Sequence, residues 1–257
     1  MSLTRLALRF AAPVPKVEDY DRYLFLGPHP DDIEIGAGAT AAKLVAAGKQ
    51  VTFLICTDGK YGMEYAPEGF TPEMMIERRK VESLNSAHWL GVGDVRRLGF
   101  CDGGFYDFED LVKVVARVVG EVQPQVILAP DPDVISECHV DHRNAGEAAK
   151  RLAFFAPYKE IMARYGAQPA PVQALAFYMT ARPDRYVKTS RKLLEKQLKA
   201  ISFHESQFPK DSEAFKSVAL YLKLRSLDFG LRSLHRYAEG FRVLGTTHMH
   251  CLPEAGL

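Results

Sequence analysis

Along the chain, uninterrupted apolar runs alternate with amphipathic stretches. Residues 23–26 (Tyr-Leu-Phe-Leu) and 51–57 (Val-Thr-Phe-Leu-Ile-Cys-Thr) carry no apolar/polar alternation. Such runs suit strands buried on both faces, as in a parallel sheet. Between them, residues 37–47 are alanine-rich and stop at Gly48, which predicts a helix and closes one βαβ unit. The alternation continues. Thr71-Pro72-Glu73 opens a helix with a hydroxyl cap, a proline and an acid in the first turn, and Gly91 ends it after Leu90. The pattern then predicts a strand over 97–100, a Cys101-Asp102-Gly103-Gly104 turn, a helix over 108–122 and a strand over 125–130. A helix over 143–155, strands over 174–179 and 186–188, helices over 191–203 and 211–231, and a strand over 241–244 follow.

This order predicts the α/β class: a Rossmann-like, doubly wound, mostly parallel sheet flanked by helices, with a C-terminal helical and strand extension. Residues 1–257 read as one domain, about 211–257 being the extension. Its long helix carries Val218, Leu220, Leu222, Leu227 and Leu231, a stripe suited either to core or to self-association. The formal net charge of +1 argues against an extended nucleic-acid or membrane-binding surface. The densest basic stretch, 182–199, includes Asp184 and Glu195 and reads as a solvated face. Cys56, Cys101, Cys138 and Cys251 are scattered, which excludes a cysteine zinc finger and argues against a disulfide framework. Cys138, beside His139, reads as a small buried thiol. The N-terminal apolar segment is too interrupted for a secretory signal, and no run reaches the roughly 18 apolar residues of a membrane span. The expected location is cytoplasmic.

In open α/β sheets, ligands bind beyond the carboxyl ends of the strands. Two polar clusters fall there. Gly27-Pro28-His29-Pro30-Asp31-Asp32 follows the first strand, and His139-Val140-Asp141-His142 follows the fourth. Asp102 follows the third. His29 and Asp32, three apart in a turn, can hold one ion, and of the neighbours Asp31 and Asp32 one can ligate while the other reaches the bound water. His139 and His142, at i and i+3, share a helix face, and Asp141 can accept from an imidazole N–H. Each cluster also has a purely structural reading, a proline turn whose aspartate caps the next helix and a satisfied helix start. Together they predict a mononuclear metal site with an open position, the pattern of a catalytic zinc. Gly36-Ala37-Gly38-Ala39-Thr40-Ala41 fits a dinucleotide fingerprint formally, but its first glycine does not directly follow the strand. It reads as helix–sheet packing.

The motif His29-Pro30-Asp31-Asp32, the turn Thr57-Asp58-Gly59 with Gly62, the helix Arg78-Arg79…Glu82…Ala87…Leu90-Gly91, and His139-Val140-Asp141-His142 together resemble the LmbE/PIG-L-like zinc-dependent N-deacetylases. The resemblance continues through 198–208 and 237–243 and is closest to the N,N'-diacetylchitobiose deacetylase branch. It implies one Zn²⁺ per subunit, with His29, Asp32 and His142 as ligands and Asp31 as general base. It implies His139, oriented by Asp141, as oxyanion stabiliser and acid for the leaving amine. Arg78 and Asp102 fall where the family meets sugar hydroxyls, and His250, in an H-x-H with His248, could line a substrate pocket, its own or that of a neighbouring subunit. Arg78 could equally be an ion-pair partner, Asp102 a turn former and His250 part of a tail.

The implied activity is hydrolysis of the N-acetyl group of an N-acetylglucosamine-type sugar, a chitobiose-like disaccharide or conjugate, releasing acetate. A bacillithiol-type glycoside is the alternative substrate. The expected partner is a small amino sugar, with no nucleic acid or membrane, in a homo-oligomer (trimer or hexamer). Two other readings compete. A non-haem iron oxygenase would use His29, Asp31 and a distant histidine as a facial triad in a β-rich fold. A metal-dependent sugar-binding module would not need the additional acid beside the ligands.

Overall fold

The computed structural model describes residues 3–250 and Leu252; Cys251 lies outside the described residues. Seven strands follow in chain order: β1 (Arg22–Gly27), β2 (Gln50–Thr57), β3 (Asp94–Phe100), β4 (Val126–Pro130), β5 (Ala174–Tyr178), β6 (Arg185–Lys188) and β7 (Ala238–Gly245). They form one sheet in the order β3-β2-β1-β4-β5-β7-β6. The first five are parallel, with Phe25 opposite Phe53 on one side and Leu128 on the other. β7 runs antiparallel to both β5 and β6. This is the mostly parallel α/β sheet the sequence predicts, and the β-rich fold of the oxygenase reading is excluded.

The helices are α1 (Leu3–Ala11), α2 (Asp32–Ala46), α3 (Pro72–Leu90), α4 (Phe108–Val122), α5 (Val140–Phe155), α6 (Lys159–Arg164), α7 (Arg191–Ile201) and α8 (Glu213–Arg232). Alternate residues of the central strands face opposite layers. Leu24, Leu26 and Ile127 pack with Leu111 and Val115 of α4 and Ala149 and Leu152 of α5. Tyr23, Phe25 and Leu128 pack with Ala41 of α2, Leu90 of α3 and Ala200 of α7. Burial on both faces is why these strands read as continuous apolar runs. None of the described helices is long and apolar enough to cross a membrane.

The structure differs from the periodicity reading at several ends. α2 begins at Asp32, and the non-helical Ala37 (φ −152°, ψ 20°) breaks it in two; only the second part shows the alanine pattern. Side chains from elsewhere cap both halves of the break. Gln197 Nε2 donates to the carbonyls of Glu34 (2.8 Å) and Ile35 (3.2 Å). The carboxylate of Glu239 accepts from Ala39 N (3.2 Å) and Thr40 N (2.6 Å). Burial pushes Glu239 up to about 6, opposed by the Thr40 and Ala39 donors. Gly36 leaves room for Tyr178, whose ring would lie 2.1 Å from an added Cβ. α5 starts at Val140 with His139 as its N-cap, so the second polar cluster occupies the first helical turn. α1 and α6 fall outside the predicted elements, although α1 is amphipathic at helical period, and β7 extends beyond 241–244 on both sides.

Candidate active site

The ends of β1, β3 and β4 bring the two clusters and Asp102 together. His29 is the hub. Its Nδ1 lies 3.0 Å from Asp32 Oδ2, and its Nε2 lies 3.1 Å from Asp141 Oδ2 and 3.2 Å from Asp102 Oδ1. His142 Nε2 stands 3.3 Å from Asp32 Oδ1. The His29 ring centroid is 4.5 Å from that of His139 and 5.3 Å from that of His142. His29, Asp32 and His142 each offer a ligand atom within 4.8 Å of the others, and His29, Asp102, His139 and Asp141 form a second such group.

The chemistry of this donor set fits a divalent cation. Burial disfavours a charge on His29, yet Asp102, Asp141 and Asp32 around it push its imidazole up to about 12. Burial raises Asp141, but His29, Tyr106 and the Gly103 N–H outweigh it and hold the acid down at about 2. Asp32, despite its burial, is held well below the ordinary carboxylate range by His142 and His29. Such a crowd of ionised carboxylates around imidazoles calls for positive charge, and imidazole with carboxylate suits zinc-like ions. Outer contacts orient the ligands. Glu137 Oε2 lies 3.0 Å from His142 Nδ1, an ion-pair distance without hydrogen-bond geometry, while Nε2 faces Asp32. Tyr106 Oη donates to Asp141 Oδ1 (2.8 Å) and Gly103 N to Asp141 Oδ2 (2.8 Å).

Asp31 stands apart from the ligand set. It precedes α2 with a φ of 127°, a conformation that costs a non-glycine residue about 1–3 kcal/mol. Its side chain does not cap the helix, so the capping role of a proline turn does not explain it. Arg79, 3% exposed, holds it in place. The guanidinium donates to Asp31 Oδ2 (3.1 Å), Pro30 O (2.7 Å) and Gly59 O (3.0 Å). An added Cβ at Gly59 or Gly62 would fall 2.7 or 2.8 Å from Arg79 Nη1, so both glycines make space for it. Burial raises Asp31 to about 6; Arg79 opposes the shift and Asp32 adds to it.

The other expected positions divide. Asp102 joins the cluster, with its own N–H bound to Asp58 Oδ1 at 3.2 Å. His139 is there too, but its Nδ1 is 3.8 Å from Asp141 Oδ2, so the Asp141 carboxylate contacts His29 more closely than the imidazole it was expected to orient. The His139 side chain is 45% exposed and faces the open side. Arg78 pairs with Glu82 (3.0 Å), which also accepts from Ser206. His250 is exposed, with its ring 5.5 Å from Phe154, and it lines a separate cleft with Phe108 and Asn144. Cys138 is exposed, not buried.

Sequence reasoning gave no role to Arg79, Glu137, Tyr106 or the buried pair His204–Glu34 (3.4 Å), although Arg79 and His204 lie in segments the resemblance covers. Arg79 had a signal. It lies on the stripe Met75, Arg79, Ser83, Ser86, Leu90, the buried face of α3, where an arginine requires an anionic partner.

A profile described as PIG-L, GlcNAc-PI de-N-acetylase, matches residues 24–153. The diacetylchitobiose deacetylase of Thermococcus kodakarensis is 35% identical over 242 residues, 92% of this chain and 88% of that protein. This chain belongs to the PIG-L family. A 1D-myo-inositol 2-acetamido-2-deoxy-alpha-D-glucopyranoside deacetylase of Kineococcus radiotolerans is 30% identical over 214 residues, 72% of this chain and 58% of that one. Among solved structures, the N,N'-diacetylchitobiose deacetylase of Pyrococcus horikoshii, complexed with its inhibitor MPG, superposes with a TM-score of 0.86 at 29% identity. That match covers 98% of this chain and 97% of the other. Both carboxylate–imidazole clusters fall inside the segment matched by the PIG-L profile.

Proposed function

We propose that this chain, acting as one deacetylase domain, hydrolyses the N-acetyl group of a chitobiose-type N-acetylglucosamine sugar and releases acetate. The observation that carries the reading is the meeting of His29, Asp32 and His142 with a separately held carboxylate, Asp31, beside them. Similarity to the two chitobiose deacetylases along nearly the whole chain supports the substrate class. His29, Asp32 and His142 would hold one Zn²⁺, which when bound supplies Lewis-acid polarisation of the acetamide carbonyl and a more acidic water.

The chain's own residues do the rest. Asp31, ionised above about pH 6, takes the proton of the attacking water. Arg79 keeps its carboxylate aimed while one oxygen is engaged. His139, the exposed imidazole of the cluster, would steady the oxyanion in its protonated form and pass that proton to the leaving amine, and the proton Asp31 took from the water would restore it. Asp141 fixes the shared His29 edge on which His139 packs. Asp102, whose Oδ2 also accepts from Tyr61 N, would offer a remaining lone pair, and Arg78 its exposed end, to sugar hydroxyls. His250, exposed on its own cleft, would serve a neighbouring subunit.

Self-association is part of this reading. Leu220, Leu224, Leu227 and Leu231 of α8 are 43–77% exposed and recur at spacings of four, three and four, a heptad seam. A second copy laid parallel would set Lys223 against Asp228 of the partner subunit, at the flanking positions that pair in a parallel coil.

The test is acetate release from N,N'-diacetylchitobiose, N-acetylglucosamine and an N-acetylglucosaminyl inositol in parallel. Turnover of the disaccharide with zinc supports the reading. Turnover of the inositol glycoside alone moves the substrate to the class of the Kineococcus relative.

A further inference from the structure

The mouth of the site carries an aromatic shelf built from Phe105 and Tyr61. Phe105 is 71% exposed and Tyr61 53%. Their ring centroids are 6.1 Å apart at 81°, so one ring presents its edge to the other and leaves a face free. Large exposed apolar groups beside a polar site mark a ligand surface more often than isolated exposed ones do.

The shelf is fastened to the cluster by backbone. Tyr61 N donates to Asp102 Oδ2 (3.2 Å), and Gly103 N to Asp141 Oδ2 (2.8 Å). Gly103, with φ 85°, runs directly beneath the rings: an added Cβ would sit 3.1 Å from Phe105 and 3.8 Å from Tyr61. Gly104, with φ 79°, packs on half-exposed Val140, the neighbour of His139, where an added Cβ would lie 2.5 Å from the valine. The shelf is therefore one residue removed from the groups that would act on an amide. A substrate whose acetamide lies in the cluster must send the rest of its length outward beside it.

We propose that Phe105 and Tyr61 form a subsite for a second pyranose ring, the one joined by a glycosidic bond to the sugar being deacetylated. This rests on the deacetylase reading and deepens it. Pyranoses with equatorial substituents expose flat C–H faces, and these pack on the negative face of an aromatic ring. Phe105 has no polar atom and provides apolar contact only. Tyr61 adds a hydroxyl, with Lys60 Nζ 5.3 Å from its ring centre. The subsite selects β-linked amino-sugar oligomers over the monosaccharide. Neither residue touches the reacting atoms; both determine specificity.

The experiment compares zinc-loaded wild type, Phe105→Ala, Tyr61→Ala and Phe105→Trp on N,N'-diacetylchitobiose and on N-acetylglucosamine, with calorimetric binding of the disaccharide to each protein. Phe105→Ala is expected to raise KM and Kd for the disaccharide about 10-fold, the size of one lost ring contact, with kcat and monosaccharide kcat/KM unchanged. Tyr61→Ala moves the same way, and Phe105→Trp restores the disaccharide. Equal losses on both sugars would mean a structural role of the loop and overturn the subsite, as would an unchanged disaccharide KM in Phe105→Ala. If wild type releases no acetate but binds the disaccharide in a Phe105-dependent manner, the subsite stands and the deacetylase reading falls. Absence of both binding and release overturns the subsite.

Discussion

Asp31 and Arg79 are where single side chains decide most. Asp31→Asn should keep its metal, because the ligand set is elsewhere, and lose roughly 10²–10⁴-fold in kcat. Metal analysis beside steady-state rates checks both halves. The pH dependence follows from the same residue. A base raised to about 6 by burial is protonated below that value, so kcat/KM should fall about tenfold per pH unit on the acid side, and it should fall again on the alkaline side as His139, whose pKa burial and His29 lower, loses the proton it must donate. Arg79 lowers the Asp31 pKa, so Arg79→Gln should move that acid limb to higher pH. Losing one partner of so buried a pair should also destabilise by about 3–5 kcal/mol in urea unfolding. A limb that stays in place would detach Arg79 from the base. The metal chemistry was legible in the two clusters taken together, each at the end of a buried strand, and the resemblance supplied the role of Asp31. The guanidinium that aims the base was not legible, because its partner is distant in sequence and only helix periodicity hints at its burial.

The break in α2 is the element that gives the site its shape. It lets a short first turn carry Asp32 while the second part packs its alanines under the sheet. The residues that clamp it come from α7 and β7, far along the chain, so local pattern could show only the alanine-rich half. Gln197→Ala leaves the Glu34 and Ile35 carbonyls without their donor and should destabilise by about 1–3 kcal/mol in denaturant unfolding. Glu239 behaves differently with pH. Its folded pKa is raised, so burying its charge lowers stability as pH rises from about 4.5 through about 6. Glu239→Gln lacks that slope, and its Tm relative to wild type should be higher at pH 8 than at pH 5. The reverse order would show the carboxylate to be a favourable cap at both pH values.

At the scale of the molecule, topology does what sequence proximity cannot. Strands β1, β3 and β4 all end at one rim, and that is why His29, Asp102 and His142 meet although a hundred residues separate the outer two. The rule of parallel sheets made this legible before any coordinates. Exposure is harder to read: Cys138 was expected to be buried and is exposed, and the α8 leucines suited core and self-association equally, because burial depends on which faces the later elements cover. The leucine seam predicts association. Leu224→Glu with Leu227→Glu should shift the protein to a smaller species in light scattering, while a wild type already monomeric at micromolar concentration removes the seam as an interface. The central claim is one ion shared by two distant loops with a carboxylate left to work beside it. Titrating metal-stripped protein with Zn²⁺ while following acetate release from N,N'-diacetylchitobiose tests it most directly. Activity should rise to a plateau at one equivalent in wild type and stay absent in His142→Ala; full activity without metal, or an equally active His142→Ala, would contradict it.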